Sequence, residues 1–195
     1  LRRALGPTRC NAKNPHTDYH AGLWDHRGTD MWASVYRSAT PGDAVNCFRA
    51  EGSACAGDAN ATLEDFQDWI QRTPENFLIY EHEGNFVGFA HFGHSNDDFI
   101  SEEGFKEQCN EDASAPYIHV RSIAVDPLFQ RDHFVQALIA NFESIPEDLN
   151  KKSVHLRCRD QYVDFFREQG YRYIQAMTSD EVSTWHEMGI KLRWD

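Results

Sequence analysis

His119 and Arg121 are the residues whose types and spacing best suit acid–base chemistry. They lie two apart in the run 117–125, YIHVRSIAV, whose β-branched and aromatic content predicts a strand. Residues two apart on a strand point to one face, so we expect the pair to line one side of a cleft. An imidazole moves protons near neutral pH, and a guanidinium keeps its charge. The alternative is structural, with the histidine hydrogen-bonded inside the sheet and the arginine solvated.

Tyr162 adds a hydroxyl that could serve as an acid. It begins a predicted helix over 161–169, QYVDFFREQ, which ends before Gly170. Phe166 follows four residues later, which on a helix is one turn along the same face. The alternative is a tyrosine packed at the start of the helix.

His91, His94, Asp97 and Asp98 form a possible set of metal ligands near the end of a predicted hairpin. Their spacing is not one of those that recur in zinc sites, so we predict no metal. Residues 94–114, which follow, are polar and acidic. A loop of that length is often functional, and we interpret it as a lid over a site.

The elements that must position these residues alternate between strands and helices, which predicts an α/β fold. Strands are predicted at 31–39, in a hairpin over 77–93, and at 117–125, 153–158, 171–177 and 186–194; helices are predicted at 40–51, 62–73, 130–144 and 161–169. We expect a mixed sheet of about seven strands flanked by about four helices. Residues 31–195 would form this domain, and residues 1–30, which lack periodicity, an N-terminal arm.

The composition disfavours several classes of binding partner. The net charge is −12, from 19 Lys and Arg against 31 Asp and Glu, which disfavours nucleic acid and anionic lipid. No apolar run approaches the ~20 residues that span a bilayer, and no signal peptide is recognisable. The five cysteines are odd in number and widely spaced, which is typical of a reducing compartment. We therefore expect a cytoplasmic protein that binds neither nucleic acid nor membranes.

Three segments resemble the GNAT superfamily of N-acetyltransferases. The stretch 118–139, IHVRSIAVDPLFQRDHFVQALI, is similar to the strand, Ala-Val-Asp-Pro and pyrophosphate-loop region of that family. EHEGNFVGFA resembles the family's hairpin, and VDFFREQGY its aromatic-rich helix. The runs YIHVRSIAV, VHLRCRDQYVDFFREQGY and WHEMGIKL look most like arylalkylamine (serotonin-type) N-acetyltransferases. The resemblance implies a single GNAT-like domain that transfers an acyl group from acetyl-CoA or another acyl-CoA to a small aryl or alkyl amine.

The resemblance also implies roles for individual residues. His119 would be the base, with Arg121 at the position of a second histidine, and Tyr162 would be the acid in place of the family's tyrosine, which matches Phe166. The residues implied to bind the cofactor are Ile123, Val125, Gln130, Arg131, His133, Val135 and Phe166.

The chain departs from the family pattern in its pyrophosphate loop. The pattern has small residues where this sequence has His133 and Val135, although Gln130 is kept. Larger side chains would crowd a phosphate that approaches the main chain, which gives a degenerate loop. Two alternatives therefore stay open: acid–base chemistry without coenzyme A, such as cyclisation, dehydration or decarboxylation, and a non-catalytic domain.

Overall fold

The structure, a computed structural model, describes residues 34–54, 61–101, 112–129, 132–143, 150–179 and 183–192. Its elements in chain order are β1 (Ser34–Ser38), α1 (Ala44–Ala54), α2 (Leu63–Arg72), β2 (Phe77–His82), β3 (Asn85–Ser95), β4 (Tyr117–Val125), α3 (Asp132–Glu143), β5 (Ser153–Arg159), α4 (Val163–Glu168), β6 (Arg172–Ser179) and β7 (Ser183–Lys191). The predicted α/β fold, with a mixed sheet of seven strands and four α-helices in the described ranges, is confirmed. The predicted arm, residues 1–30, lies outside the described residues.

The seven strands form one sheet in the order β1-β2-β3-β4-β5-β7-β6. Neighbouring strands are antiparallel except β4 and β5, which run parallel. The last strand, β7, lies between β5 and β6 and pairs with both. This insertion gives β7 a hydrogen-bonded partner on each side and brings its side chains next to those of β5.

The caps of both N-terminal helices lie where the sequence predicts, at Thr40 and Thr62, although α1 itself begins only at Ala44. An acidic residue closes the first turn after each cap. The Asp43 carboxylate accepts hydrogen bonds from the backbone N–H and the hydroxyl of Thr40, at 2.7 and 2.8 Å. A short 3-10 turn, Pro41–Asp43, then leads into α1. Asp65 accepts from the backbone N–H of Thr62 at 2.7 Å, and the Thr62 hydroxyl oxygen accepts from the Asp65 N–H at 3.2 Å. These reciprocal bonds satisfy donors that the helix itself leaves unpaired.

Glycines determine the geometry at two places. The β2–β3 turn has Glu83 and Gly84 at φ of 52° and 73°, the left-handed region that two-residue hairpins require. Gly88 lies where β3 and β4 approach so closely that a Cβ would come within 2.5 Å of the Ala124 carbonyl oxygen. A larger residue at position 88 would therefore push β4 away from β3.

Two hydrophobic clusters cover opposite faces of the sheet. The first packs α3 and α4 against β4, β5 and β7, through residues such as Val120, Leu138 and Met188. The second packs α1 and α2 against β2, β3 and β4, and its centre is Phe66. Among the described helices, none is long and apolar enough to cross a membrane.

Candidate active site

The sheet divides between its two parallel strands. β4 and β5 pair only from Tyr117–Val120 to Ser153–Leu156. Beyond that point β4 continues with β3 to Val125, and β5 continues with β7 to Arg159. We call the gap between these two diverging segments, 121–125 and 157–159, the β4–β5 wedge.

A β-bulge accounts for the position of the wedge. In the β3–β4 ladder, Phe92 faces Val120 and His91 faces Ser122, so Arg121 is an extra residue on β4. A bulge bends its strand and increases the local twist. The bend falls directly after the last β4–β5 pair, and β4 therefore turns away from β5 with its β5-side edge unpaired by that strand.

The bulge also changes how the predicted pair His119 and Arg121 is arranged. Simple alternation does not apply at a bulge, so the two-residue spacing alone cannot place Arg121. Contacts place His119 on the face opposite α3, because Ile118 and Val120, on either side of it, point into the cluster beneath α3. The charge of Arg121 acts on His91, which stacks on Phe77 on the α2 face. The structure therefore places His119 on that face near the closed end of the wedge, with Arg121 in the adjacent bulge.

His119 is held with one nitrogen facing a carbonyl. Its ring is buried, and Nε2 lies 3.0 Å from the backbone oxygen of Asp97. A carbonyl oxygen only accepts, so Nε2 carries the hydrogen and Nδ1 of the neutral ring is left to accept a proton. Burial, followed by the charge of His155, lowers the pKa of His119. The imidazole is therefore neutral at physiological pH and has the form that a base requires.

Sequence reasoning missed a polar array next to His119. The His155 ring lies 5.6 Å from the His119 ring, centroid to centroid. His155 Nδ1 donates to Glu187 Oε1 at 2.9 Å, and its Nε2 lies 2.7 Å from the Ser153 hydroxyl. Glu187 has no exposed surface and also accepts from the Ile100 N–H at 2.9 Å and from Gln175 at 2.8 Å. The sequence contains one signal for this array, which is Glu187, an acidic residue at an inward-facing position of a predicted strand.

β4 leads towards α3 through the 3-10 turn Pro127–Phe129, and the ring of Phe134 in the first turn of α3 lies against Tyr80 and His82 of β2. Of the residues expected to bind the cofactor, Ile123 packs against the first cluster and Val125 is buried in it. The Val135 side chain also packs on this cluster, which accommodates its branched shape. Gln130 and Arg131 lie outside the described residues, and the side chain of His133 is not described.

Tyr162 and Phe166 occupy different environments. The helix predicted over 161–169 is shorter than expected, because a 3-10 turn, Asp160–Tyr162, precedes α4. Tyr162 is 46% exposed, whereas Phe166 is buried and contacts Tyr171 in the core. Tyr162 follows the end of β5 by three residues and therefore lies beyond the open end of the wedge.

The candidate metal ligands His91 and His94 do not converge. His91 stacks on Phe77 at 4.1 Å on the α2 face, and His94 contacts Phe92 on the opposite face. Burial, with the charge of Arg121, lowers the pKa of His91 to about 3. No group of three potential metal-binding side chains occurs within the described part of the chain. His94 belongs to β3, which runs to Ser95 and shortens the predicted 94–114 loop.

Comparison with known proteins bears on this arrangement. A sequence model described as the acetyltransferase (GNAT) family matches residues 43–171, which is more than half of the chain. A comparison with curated proteins finds no match.

Solved structures share the fold at low identity. Ard1 from Thermoplasma volcanium superposes with a TM-score of 0.61 at 21% identity, over 82% of this chain and 97% of Ard1. The yncA structure from Salmonella typhimurium, which contains its cofactor acetyl-CoA, has a TM-score of 0.61 at 17% identity over 83% and 95%. Ribosomal-protein-alanine N-acetyltransferase from Brucella melitensis has a TM-score of 0.60 at 16% identity, over 80% of this chain and 98% of that protein.

Proposed function

The chain belongs to the acetyltransferase (GNAT) family, and from that premise we propose that it transfers the acetyl group of acetyl-CoA, or a related acyl group, to a small aryl or alkyl amine. The observation that carries the proposal is the β4–β5 wedge with the neutral, buried imidazole of His119 at its closed end. The aryl or alkyl class of amine rests on the resemblance of three segments to arylalkylamine N-acetyltransferases.

The described residues fit the pantetheine arm of coenzyme A. The β5-side edge of β4 from 121 to 125 is not paired with β5, and we propose that the backbone of Ile123 and Val125 binds the arm there. The diverging segments 121–125 and 157–159 carry three arginines and no acid, so the local charge favours a polyanion despite the net charge of −12. We further assign Gln130 and Arg131, which precede α3 in the sequence, and His133 and Val135, in its first turn, to the pyrophosphate, and Phe166 to the wall of the site.

When bound, the cofactor supplies an activated acyl group as a thioester. The chain itself must take up and release protons. An amine arrives mainly as its ammonium ion, so we assign Nδ1 of His119 to accept one N–H proton before the nitrogen attacks the acyl carbon. Arg121, two residues later on β4, would contribute positive charge to the site when an acyl oxygen is bound there.

The departing sulfur needs a proton as the C–S bond breaks. We assign this to the hydroxyl of Tyr162, which is exposed and follows the end of β5 at the open edge of the wedge. His119 passes the first N–H proton on to solvent. The nitrogen loses a second N–H proton once the C–N bond has formed, and this proton replaces the one that Tyr162 gives to the sulfur, so the overall reaction releases one proton from the ammonium ion. Tyr162→Phe should slow acyl transfer if this assignment is correct, whereas unchanged transfer would assign the proton to solvent.

Calorimetric binding and thiol release together test the proposed function. Acetyl-CoA at about one hundred times its Kd should stabilise the protein by about 2.7 kcal/mol. With a panel of arylalkylamines, His119→Gln should lower kcat/KM by about 100- to 10,000-fold while acetyl-CoA binding is kept. Lys191→Gln, an exposed change at the end of β7, is the matched control and should leave the rate unchanged.

A protein that shows no stabilisation at millimolar acetyl-CoA would refute the proposal. Turnover of another substrate would then favour acid–base chemistry without coenzyme A, and a lack of turnover would favour a binding domain. No observation in the described residues favours either alternative at present.

A further inference from the structure

We propose that His155, held in place by Glu187, is a positioning residue for His119: the proton that His155 shares with Glu187 keeps the neighbouring imidazole neutral and ready to take a proton from the acceptor amine. This inference rests on the proposed function only in its last clause, since the coupling of the two rings is a property of the protein alone.

The geometry fixes His155 from both sides. Its Nδ1 donates to the Glu187 carboxylate at 2.9 Å, and its Nε2 lies 2.7 Å from the Ser153 hydroxyl. Glu187 is in turn fixed by hydrogen bonds from the Ile100 N–H and Gln175. Although burial opposes ionisation, the bonds from His155, Gln175 and Ile100 keep the pKa of Glu187 below its usual value. The carboxylate is therefore charged, and it favours a shared proton on the ring that it touches.

Two imidazoles at 5.6 Å cannot both be charged at low cost in a buried site. His155 has the carboxylate, whereas His119 has the backbone oxygen of Asp97. A proton on His155 therefore opposes a second proton on His119, which stays in the neutral Nε2–H form.

The charged groups around His119 come from each element packed against it. His155 on β5 opposes its protonation, whereas Asp97 in the loop after β3 and Glu187 on β7 favour it. The directly opposite residue on β3 is Gly93, which carries no charge. The Tyr117 ring, on β4, is uncharged and lies edge-to-face with the His155 ring, 6.1 Å away between centroids.

The polar array also fastens the segment that follows β3. His119 bonds the backbone oxygen of Asp97, and Glu187 accepts from the N–H of Ile100. A structural role for His155 would be limited to this fastening, and a glutamine at position 155 would preserve it through its amide N–H. The titration of His119 distinguishes the two roles, because only a titratable ring at 155 shifts it.

The experiment follows the imidazole nitrogens of His119 by NMR across a pH titration of the intact protein. In His155→Gln the repulsion is removed and the Glu187 charge remains, and both changes raise the midpoint of His119, by about one pH unit. His186→Gln is the matched control: His186 lies on β7 beside Glu187 but bonds Asp160 on the opposite face, and it should leave the midpoint unchanged.

An unchanged His119 midpoint in His155→Gln would overturn the inference. The wild-type protein provides a second test that needs no variant, because its spectrum should show His119 as the neutral Nε2–H tautomer at neutral pH. A protonated His119 there would equally overturn it. In an acetyl-transfer assay of His155→Gln, the acid limb of the kcat/KM profile should also shift to higher pH, by about one unit. A raised NMR midpoint without any acetyl transfer would support the coupling and refute the proposed function.

Discussion

On the sheet face opposite α3, strands β2 to β4 are covered by aromatic packing, whereas β5 and β7 carry a hydrogen-bonded array. In the first region the Phe66 ring lies 6.3 Å from Phe77 and 5.7 Å from Phe89. In the second region His155 and Glu187 are just as buried, but their contacts are hydrogen bonds. One continuous sheet is thus stabilised in two different ways on a single face.

The difference indicates where the protein gives up stability for chemistry. Aromatic burial stabilises without strict geometry. A buried carboxylate stabilises only if every partner is in place, and replacing such groups by apolar ones is often neutral or favourable. The polar region is also the one that reaches His119 and the β4–β5 wedge. An array retained at that cost, next to a candidate base, is more simply explained by proton chemistry than by folding.

The largest expected effect is in the aromatic region. Phe66→Ala removes the ring at the centre of the second cluster and should lower the free energy of unfolding by about 3–5 kcal/mol. Urea denaturation measures the loss, and Phe66→Leu, which keeps much of the volume, should lose distinctly less. Equal losses for the two variants would show that the site depends on aromatic geometry rather than on volume.

A somewhat smaller loss is expected in the polar region. Glu187→Ala leaves the N–H donors of His155, Ile100 and Gln175 without their acceptor, which should cost about 3 kcal/mol. Glu187→Gln keeps one acceptor oxygen and should cost less. If Glu187→Ala were neutral in the same denaturation assay, the contrast between the two regions would not hold.

The smallest expected effect is a pH dependence of stability, which the polar region should show and the aromatic region should not. Because the hydrogen bonds of Glu187 lower its pKa below the ordinary value of 4.5, its contribution is complete above that value and is lost as the pH falls through the lower, folded-state pKa. The stability advantage of the wild type over Glu187→Gln should therefore shrink in acid. The loss from Phe66→Ala should not follow this pattern, and a parallel decline would contradict the assignment.

Much of the fold could be predicted from local patterns. The strand 117–125 was predicted with the bounds of β4, and Thr62 was recognised as the cap of α2. Gly170 ends α4 with φ of 88°, as predicted, and the N–H groups of Gly170 and Tyr171 bond the carbonyls of Arg167 and Phe166. Each of these features depends on residues close together in the chain, so the sequence carries the whole signal.

The candidate site was predicted only in part. His119 and Arg121 were identified by residue type, and the structure places His119 on the face opposite α3 and Arg121 in the adjacent bulge. Their roles, and those of Tyr162 and the cofactor-binding residues, remain predictions. The start of the helix predicted over 161–169 was wrong, because Asp160–Tyr162 form a 3-10 turn before α4. His155 and Glu187 were missed because 32 positions separate them along the chain.

The sequence by itself determined the order and type of the elements, the caps and turns that bound them, and the identity of the histidine at the centre of β4. Only the tertiary structure decided that β4 and β5 separate after Val120, that β7 inserts beside β5, and that a carboxylate thereby reaches the second imidazole. The reason is physical. Local hydrogen bonds and φ preferences are properties of neighbouring residues, whereas strand register and burial are properties of the packed sheet.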